Sequence, residues 1–487
     1  MVKHETKGIG QIAIQGGLKM FLSQGVKLVV QIASIVVLAR LVTPEDFGLV
    51  AFLTSIFAFV GLFSELGLTM AIVQKEQIQE KDLNTLFRIS AGIGILLLLC
   101  IGVAGLLTSW ISADSRYQWV FGIFALMFFF KSLSTVPQGL IRRRLQFGFL
   151  SLQEAGTFLF GALTAVAIAT QGRGILALMA LQFIPGLLMC GSSWFFSAWR
   201  PQRSVGSIQE ASSYFSFGGA FTLVEIANTV CKQVDNLLIG KVWGMQLLGQ
   251  YTRAYALMLT PMNQVMGPIG TVLVPLFSRI HQNEVEFKKL TTALFISCVG
   301  LTAPAAAITF VHSNTIVNLL LGPGWEVAEQ IFWWFGFAVF CKPLGCIVYW
   351  IFVSSGKMKE MMRWTVVNTV LTVCAILAGL QYGPIRVAAL FSISEIVLQI
   401  PLAICLLGKT RLITVRKWYK IYVLGLGLLA GSYCILRLIQ EKMEILSLST
   451  NAQMIVSLCL AGVLSISVIL ANPESRNLVK DCKDRVF

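Results

Sequence analysis

Four polar residues interrupt a long apolar run near the middle of the chain. Glu225, Asn228, Lys232 and Asp235 recur at steps of three, four and three within Phe217–Tyr251. That spacing puts all four on one face of a helix. The stripe rises about 15 Å, roughly half of a ~30 Å hydrocarbon core. Five basic residues lie inside apolar runs of this kind: Lys27, Lys131, Lys232, Arg253 and Lys342. One charge at a bilayer centre costs about 2.5–3.5 kcal/mol on insertion scales, so five facing lipid would cost on the order of 15 kcal/mol. That rivals the whole net stability of a domain, about 5–15 kcal/mol. Such residues face the protein interior, a counter-charge or a water-filled cavity. The chemistry open to a cationic chamber is the holding of an anion, such as a phosphate or an acidic sugar.

Lys27, Lys131 and Lys342 have no carboxylate one helical turn away. With Lys232 and Arg253 they form the candidate set of cavity cations. Two of the five have a plain structural alternative. Lys232 could be neutralised by Asp235 on its own helix, and Arg253 could extend its guanidinium to the membrane interface. The carboxylates counted within the apolar runs are Glu65, Glu225, Asp235 and Glu395. Glu65 and Glu395 read equally as packed carboxyls. Gln24, Gln31, Glu225, Asn228, Asp235, Glu65 and Glu395 are the candidates for lining a polar cavity or coupling to an ion. Pro261, Pro268 and Pro275, seven apart, each remove a helix hydrogen bond and give either a fixed bend or a hinge.

Catalysis and metal binding find little support. His4, His281 and His312 are far apart and near predicted loops, and the eleven cysteines are scattered without a CxxC pair. There is no GxxxxGK[ST] phosphate loop, so no nucleotide or other cofactor is expected. An ion gradient of H+ or Na+, or the gradient of the passenger itself, is left as the energy source.

The elements that must position these residues follow from composition. The 487 residues are 56% hydrophobic and 13% charged, where soluble domains carry about 25% charged residues. Apolar runs long enough to span a membrane lie near 19–41, 46–73, 86–109, 117–141, 149–170, 174–199, 214–240, 246–278, 290–311, 328–353, 362–381, 385–408, 418–439 and 452–471. The expectation is an all-α polytopic membrane protein of about 14 helices. With the N-terminus inside the cell, 26 of the 38 Lys and Arg residues fall on the cytoplasmic side and seven outside, leaving the five within spans. This positive-inside bias puts both termini in the cytoplasm and accounts for the net charge of +15 without a nucleic-acid partner. No cleavable leader is apparent in the polar start MVKHETKGIGQ.

An internal duplication orders the chain. At an offset of 201, Gln24, Lys27, Gln31 and Ser34 align with Glu225, Asn228, Lys232 and Asp235, and Gly17, Arg40 and Gly48 align with Gly218, Lys241 and Gly249. The second copy begins six helices after the first, so the repeat is parallel. The expected organisation is a six-helix lobe over 1–205, a second over 206–410, and two additional helices with a cytoplasmic tail over 411–487. Lys131 and Lys342 fall in the fourth and tenth apolar runs, equivalent places in the two lobes.

The run Ala39-Arg40-Leu41-Val42-Thr43-Pro44-Glu45-Asp46-Phe47-Gly48 resembles the junction of the first two helices in bacterial Wzx-type polysaccharide flippases. So do Gln233-Val234-Asp235-Asn236-Leu237-Leu238-Ile239-Gly240, Gly249-Gln250-Tyr251, Pro275 in VPLFSRI, and Gly356-Lys357. Those flippases are part of the multidrug/oligosaccharidyl-lipid/polysaccharide exporter superfamily, and the motifs fit its colanic-acid and exopolysaccharide branch. The resemblance implies transport of undecaprenyl-diphosphate-linked oligosaccharide from the cytoplasmic to the periplasmic leaflet of the inner membrane, for exopolysaccharide or lipopolysaccharide synthesis. It implies alternating access between two lobes, membrane lipids and a polysaccharide polymerase as partners, and coupling to H+ or Na+. It supplies no catalytic motif. The competing readings are a multidrug exporter of the same superfamily, whose cationic passengers would call for a carboxylate-rich cavity, and a membrane polysaccharide polymerase, which would call for a sizeable outer loop.

Overall fold

The structure, a computed structural model, describes residues 25–65, 68–74, 78–112, 115–144, 147–202, 208–446 and 449–473, without the side chains of 65, 70, 71, 74, 112, 115–117, 147, 208–228, 231 and 469. Among the described residues there is no strand. A bilayer offers no water to an unpaired N–H or C=O, so each spanning segment must satisfy its backbone internally, as a helix does.

The helices are α1 (25–41), α2 (Pro44–Glu65), α3 (Leu68–Gln74), α4 (Glu80–Ser112), α5 (Ser115–Arg143), α6 (Phe147–Ala169), α7 (Gly174–Ser197), α8 (Ile208–Ile280), α9 (Glu284–Leu320), α10 (Glu326–Ser354), α11 (Met358–Leu380), α12 (Pro384–Ser394), α13 (Ile400–Lys409), α14 (Val415–Ile445) and α15 (Thr450–Ala471). A π-helical turn, Glu395–Gln399, joins α12 to α13 without a break in the span. Twelve helical segments among the described residues are long and apolar enough to cross a membrane, against the fourteen runs of the sequence. The difference has two sources. The described part of α1 falls short of a full crossing, and Lys232–Ile280 is one segment where the sequence suggests two runs. Gly244 breaks that segment, with φ 82° and ψ 172°. Only glycine adopts a positive φ there without strain.

The first junction shows how sequence sets structure. Thr43 precedes α2, Pro44 opens it, and Glu45 and Asp46 fill its first turn. The Asp46 amide donates to Thr43 Oγ1 at 3.2 Å, a side-chain cap on a helix whose proline needs no N–H partner. The two carboxylates lie at the positive end of the helix dipole.

The chain divides into two compact units, 1–240 and 241–487. In the first, α5 is central and packs against α2, α3, α4 and α7, while α6 pairs with α7. In the second, α9 packs against α10, α14 and α15, and α10 also meets α12 and α13. The last two helices both pack on α9. Small residues let these helices approach closely. A Cβ on Gly379 would sit 2.7 Å from Val387 Cα, and one on Gly425 would sit 2.6 Å from a Val299 methyl.

The core of the second unit is anchored by Trp418, fully buried on α14. Its ring stacks on Phe295 at 4.1 Å between centroids, and its Nε1 donates to Thr292 Oγ1 at 3.3 Å. Replacing Trp418 by Ala is expected to cost about 3–5 kcal/mol, as for other buried large-to-small changes. Equilibrium unfolding of the purified protein in detergent would measure it. A loss under about 1 kcal/mol would show that α14 is not anchored by this contact.

Candidate functional site

In the first unit, Lys27 on α1 donates from Nζ to Glu154 Oε2 on α6 at 3.1 Å. Glu154 is a carboxylate the sequence reading leaves out, although it lies five residues inside the 149–170 run. Counting every acid in each run would have found it, together with Asp46 and Glu329 at the starts of the 46–73 and 328–353 runs, so that seven carboxylates lie within the run bounds. Gln31 is half-buried one turn beyond Lys27, and the buried Ser34 turns its Oγ back to Val30 O at 2.6 Å. Lys131 is exposed on α5, two turns before the in-helix Pro137. Its carbonyl accepts from Ser134 Oγ at 2.8 Å.

Lys232 and Asp235 stand in different environments. Lys232 is exposed and Asp235 is buried. Asp235 Oδ1 accepts from the Asn236 amide at 2.8 Å. Beside it, Gln233 Oε1 accepts from the fully buried Ser55 Oγ of α2 at 2.7 Å and from Asn236 Nδ2 at 3.3 Å. The Gln-Val-Asp-Asn motif is thus a polar knot tying α2 to α8. Ser55, Gln233 and Asn236 have no part in the sequence-derived set. Gln24 lies outside the described residues, and the side chains of Glu65, Glu225 and Asn228 are likewise outside them.

In the second unit, Lys342 on α10 donates from Nζ to Glu395 Oε1 at 2.6 Å. Glu395 has only 4% of its side chain exposed and Lys342 25%. The ammonium also lies 4.8 Å from the centroid of Phe391, within cation–π range. Glu395 opens the π turn, whose wider winding pairs the Ile400 amide with Glu395 O. The turn leaves Ile396 O to an outside donor, and Tyr422 of α14 donates its hydroxyl there at 2.6 Å. Gln399 closes the turn, giving Nε2 to Ser394 Oγ at 2.9 Å and to Thr372 Oγ1 at 3.4 Å. Single π turns inside α-helices recur at functional positions. Lys131 and Lys342 are thus unlike: one is exposed, the other is locked to a buried carboxylate.

Arg253 is half-buried on α8. One turn earlier, Gln250 clamps the loop before α10. Its Nε2 donates to Gly324 O at 2.6 Å and its Oε1 accepts from the Ala328 amide at 2.9 Å. The Gly-Gln-Tyr motif is accordingly a structural clasp. Pro261, Pro268 and Pro275 lie inside continuous helix after the Gly244 break, with Pro261 and Pro275 exposed and Pro268 half-buried. His312, expected near a loop, is instead buried within α9. It sits at a local break in the helix (φ −115°, ψ 21°) and contacts Ser457 Oγ of α15 through Nε2 at 2.8 Å.

Comparison with known proteins agrees with this architecture. A family profile described as "Polysaccharide biosynthesis protein" matches residues 37–330, more than half of the chain. An "Uncharacterized membrane protein in cps region" of Klebsiella pneumoniae is 22% identical over 61% of this chain and 62% of its own length. This chain therefore spans a little under two thirds of that relative. The succinoglycan biosynthesis transport protein ExoT of Rhizobium meliloti is 25% identical over 70% of this chain and 69% of its own length. The lipopolysaccharide biosynthesis protein WzxC of Escherichia coli is 23% identical over 74% of each. Among solved structures, the lipid II flippase MurJ in an inward closed conformation superposes with a TM-score of 0.73 at 14% identity, covering 96% of this chain and 100% of that one. An inward-facing multidrug transporter of the MATE family gives 0.59 at 13% identity, covering 81% and 96%. At such identities the superpositions speak to fold alone.

The Lys342–Glu395 pair yields a direct test. Glu395→Ala leaves a half-buried cation without its carboxylate, and breaking a buried pair this way typically costs about 3–5 kcal/mol. Replacing both, with Lys342→Met and Glu395→Leu, is expected to return most of that loss, because the desolvation cost goes with the charges. Thermal melting of the three purified forms checks it. A double variant as unstable as Glu395→Ala would mean that the pair contributes through packing.

Proposed function

Because this chain belongs to the polysaccharide biosynthesis protein family, we propose that it carries a lipid-linked oligosaccharide, held on an undecaprenyl diphosphate, from the cytoplasmic to the periplasmic leaflet of a bacterial inner membrane. The observation that carries this reading is the family match across 37–330, joined to cations inside an apolar, all-helical chain. A diphosphate is a compact double anion. It suits ammonium groups in a site where low dielectric strengthens each contact. Lys131 and Lys232, both exposed, are the first to meet it. Lys27, Lys342 and Arg253 shape the field around it, and Gln31, Glu225, Asn228 and Asp235 offer polar contacts to sugar hydroxyls. The passenger's polyprenyl tail stays in the bilayer throughout.

Transport proceeds by alternating access of the six-helix lobes 1–205 and 206–410, with both termini cytoplasmic as the distribution of Lys and Arg implies. The proline-rich part of α8, through Pro261, Pro268 and Pro275, is the segment proposed to flex. The helices of 411–487 complete the second lobe. An H+ or Na+ gradient supplies the drive, and a polymerase on the periplasmic side receives the repeat unit.

The drug-exporter alternative shares the fold but not the family match. Deleting the gene in its host and analysing lipid-linked intermediates by leaflet separates the readings. Complete repeat units trapped on the cytoplasmic side, with loss of surface polymer, are expected. Repeat units that reach the periplasm unpolymerised would point to a polymerase, and normal polymer with raised drug sensitivity to an exporter. In the complemented strain, Lys131→Ala with Lys232→Ala should lower polymer yield at least tenfold, and Lys131→Arg with Lys232→Arg should keep most of it. Full activity of the double alanine form would remove these lysines from the site.

A further inference from the structure

A further polar site lies in the second unit. A cavity of about 270 Å³ in the second unit is lined by Ser313 of α9, by Glu329, Gln330, Trp333 and Trp334 of α10, and by Ile385 of α12. The sequence builds it from one turn of α10. Glu329 and Trp333 are four apart, as are Gln330 and Trp334, so each polar group shares a strip of helix surface with an indole. On α9, the break at His312 comes just before Ser313 and is held by the contact with Ser457.

The side chains are placed rather than loose. Trp333 meets Phe310 edge-on at 5.0 Å between centroids and packs against the unit's core. Trp334 stands at 87° to Trp333, at 5.0 Å. Two indoles at right angles form a corner. Glu329 Oε2 accepts from Asn314 Nδ2 at 2.8 Å, and Asn314 in turn accepts from Asn318 Nδ2 at 3.0 Å. That chain aims the carboxylate and leaves its other oxygen available as an acceptor.

We propose that this corner binds a single neutral saccharide ring. The indole face is apolar and electron-rich, which matches the C–H face of a pyranose. The rim of carboxylate, amide and hydroxyl offers acceptors and donors to ring hydroxyls. The volume lies near the lower end of ligand-sized pockets, about 300 Å³, so it takes one ring rather than an oligosaccharide. Glu329 excludes a uronic acid, because two carboxylates in contact repel. This inference rests on the proposed function for its meaning. On the orientation given there, the cavity opens at the periplasmic end, where it would steady a sugar of the passenger after the crossing. Tryptophans that merely anchor the helix at the membrane interface would bind no sugar.

The test uses the full chain in lipid nanodiscs and saturation-transfer NMR. The probes are the methyl glycosides of glucose, galactose, mannose and fucose, with methyl glucuronide as the charged comparison. At least one neutral glycoside should receive saturation at its ring C–H protons, with methyl glucuronide giving none. Trp334→Ala should weaken binding at least tenfold, and Gln330→Ala, at an exposed position, at least threefold. Glu329→Gln should admit the glucuronide. Thermal melting and gel filtration identify any variant that fails to fold; the wild-type and Gln330→Ala results then decide. No transfer to any neutral glycoside, or equal transfer in wild type and the folded variants, overturns the proposal. If the glycosides fail to bind while gene deletion still traps repeat units, the pocket falls and the transport reading stands. If they bind while deletion leaves the polymer unchanged, the pocket stands without that reading.

Discussion

The controlling constraint is the cost of a polar group that water cannot reach. In hydrocarbon an unpaired backbone group costs several kcal/mol, and a buried charge is tolerated only with a partner. The Lys342–Glu395 pair shows both demands met in one place. The carboxylate is almost wholly enclosed and holds the ammonium at 2.6 Å. It also begins a π turn whose freed carbonyl at Ile396 is taken by Tyr422. A wider turn thus sets the acid toward its lysine, and a hydroxyl from α14 covers the backbone cost. The same tyrosine ties α14 to the charged centre of its unit. Removing α14 would uncover that carbonyl as well as the Trp418 core.

How much of this was legible in the sequence depends on whether the signal is local. Span positions were, because a run of apolar residues is a local property: the 149–170, 362–381 and 452–471 runs match α6, α11 and α15 to within a few residues at either end. The Thr-Pro-Glu-Asp junction was recognised as a motif, and its caps explain it. The pairing of charges was not legible. Lys27 and Glu154 are 127 residues apart, and Lys342 and Glu395 are 53 apart. A search one helical turn away sees neither partner. The π turn left no periodicity to read, since five residues of wider winding do not disturb an apolar run.

His312 was missed for a related reason. Polar residues near the predicted end of a span look like a loop, yet α9 continues to Leu320. The extra turns carry Ser313 to the cavity beside the indoles of α10 and Asn314 to Glu329. Gln250 has a structural part. It sits in a motif that carries the family resemblance, and its two amide atoms are spent on backbone, one on Gly324 in the loop before α10 and one on Ala328 in the first turn of α10. A recurring motif can mark a clasp as readily as a site.

The pairing also bears on which cations can serve a passenger. An anion approaching Lys342 must compete with Glu395 at 2.6 Å. Success would strand a carboxylate with almost no access to water, which is costly. Lys27 presents a milder version of the conflict, because Glu154 is partly solvated and can be left behind at less cost. Lys131 and Lys232, both exposed, can turn toward a phosphate with a smaller loss of solvation than an enclosed pair would suffer. Lys131 is thus exposed, and Lys342 is committed to the interior of its unit. On the proposed function, the exposed lysine makes contact with the passenger and the enclosed one holds the second unit in shape.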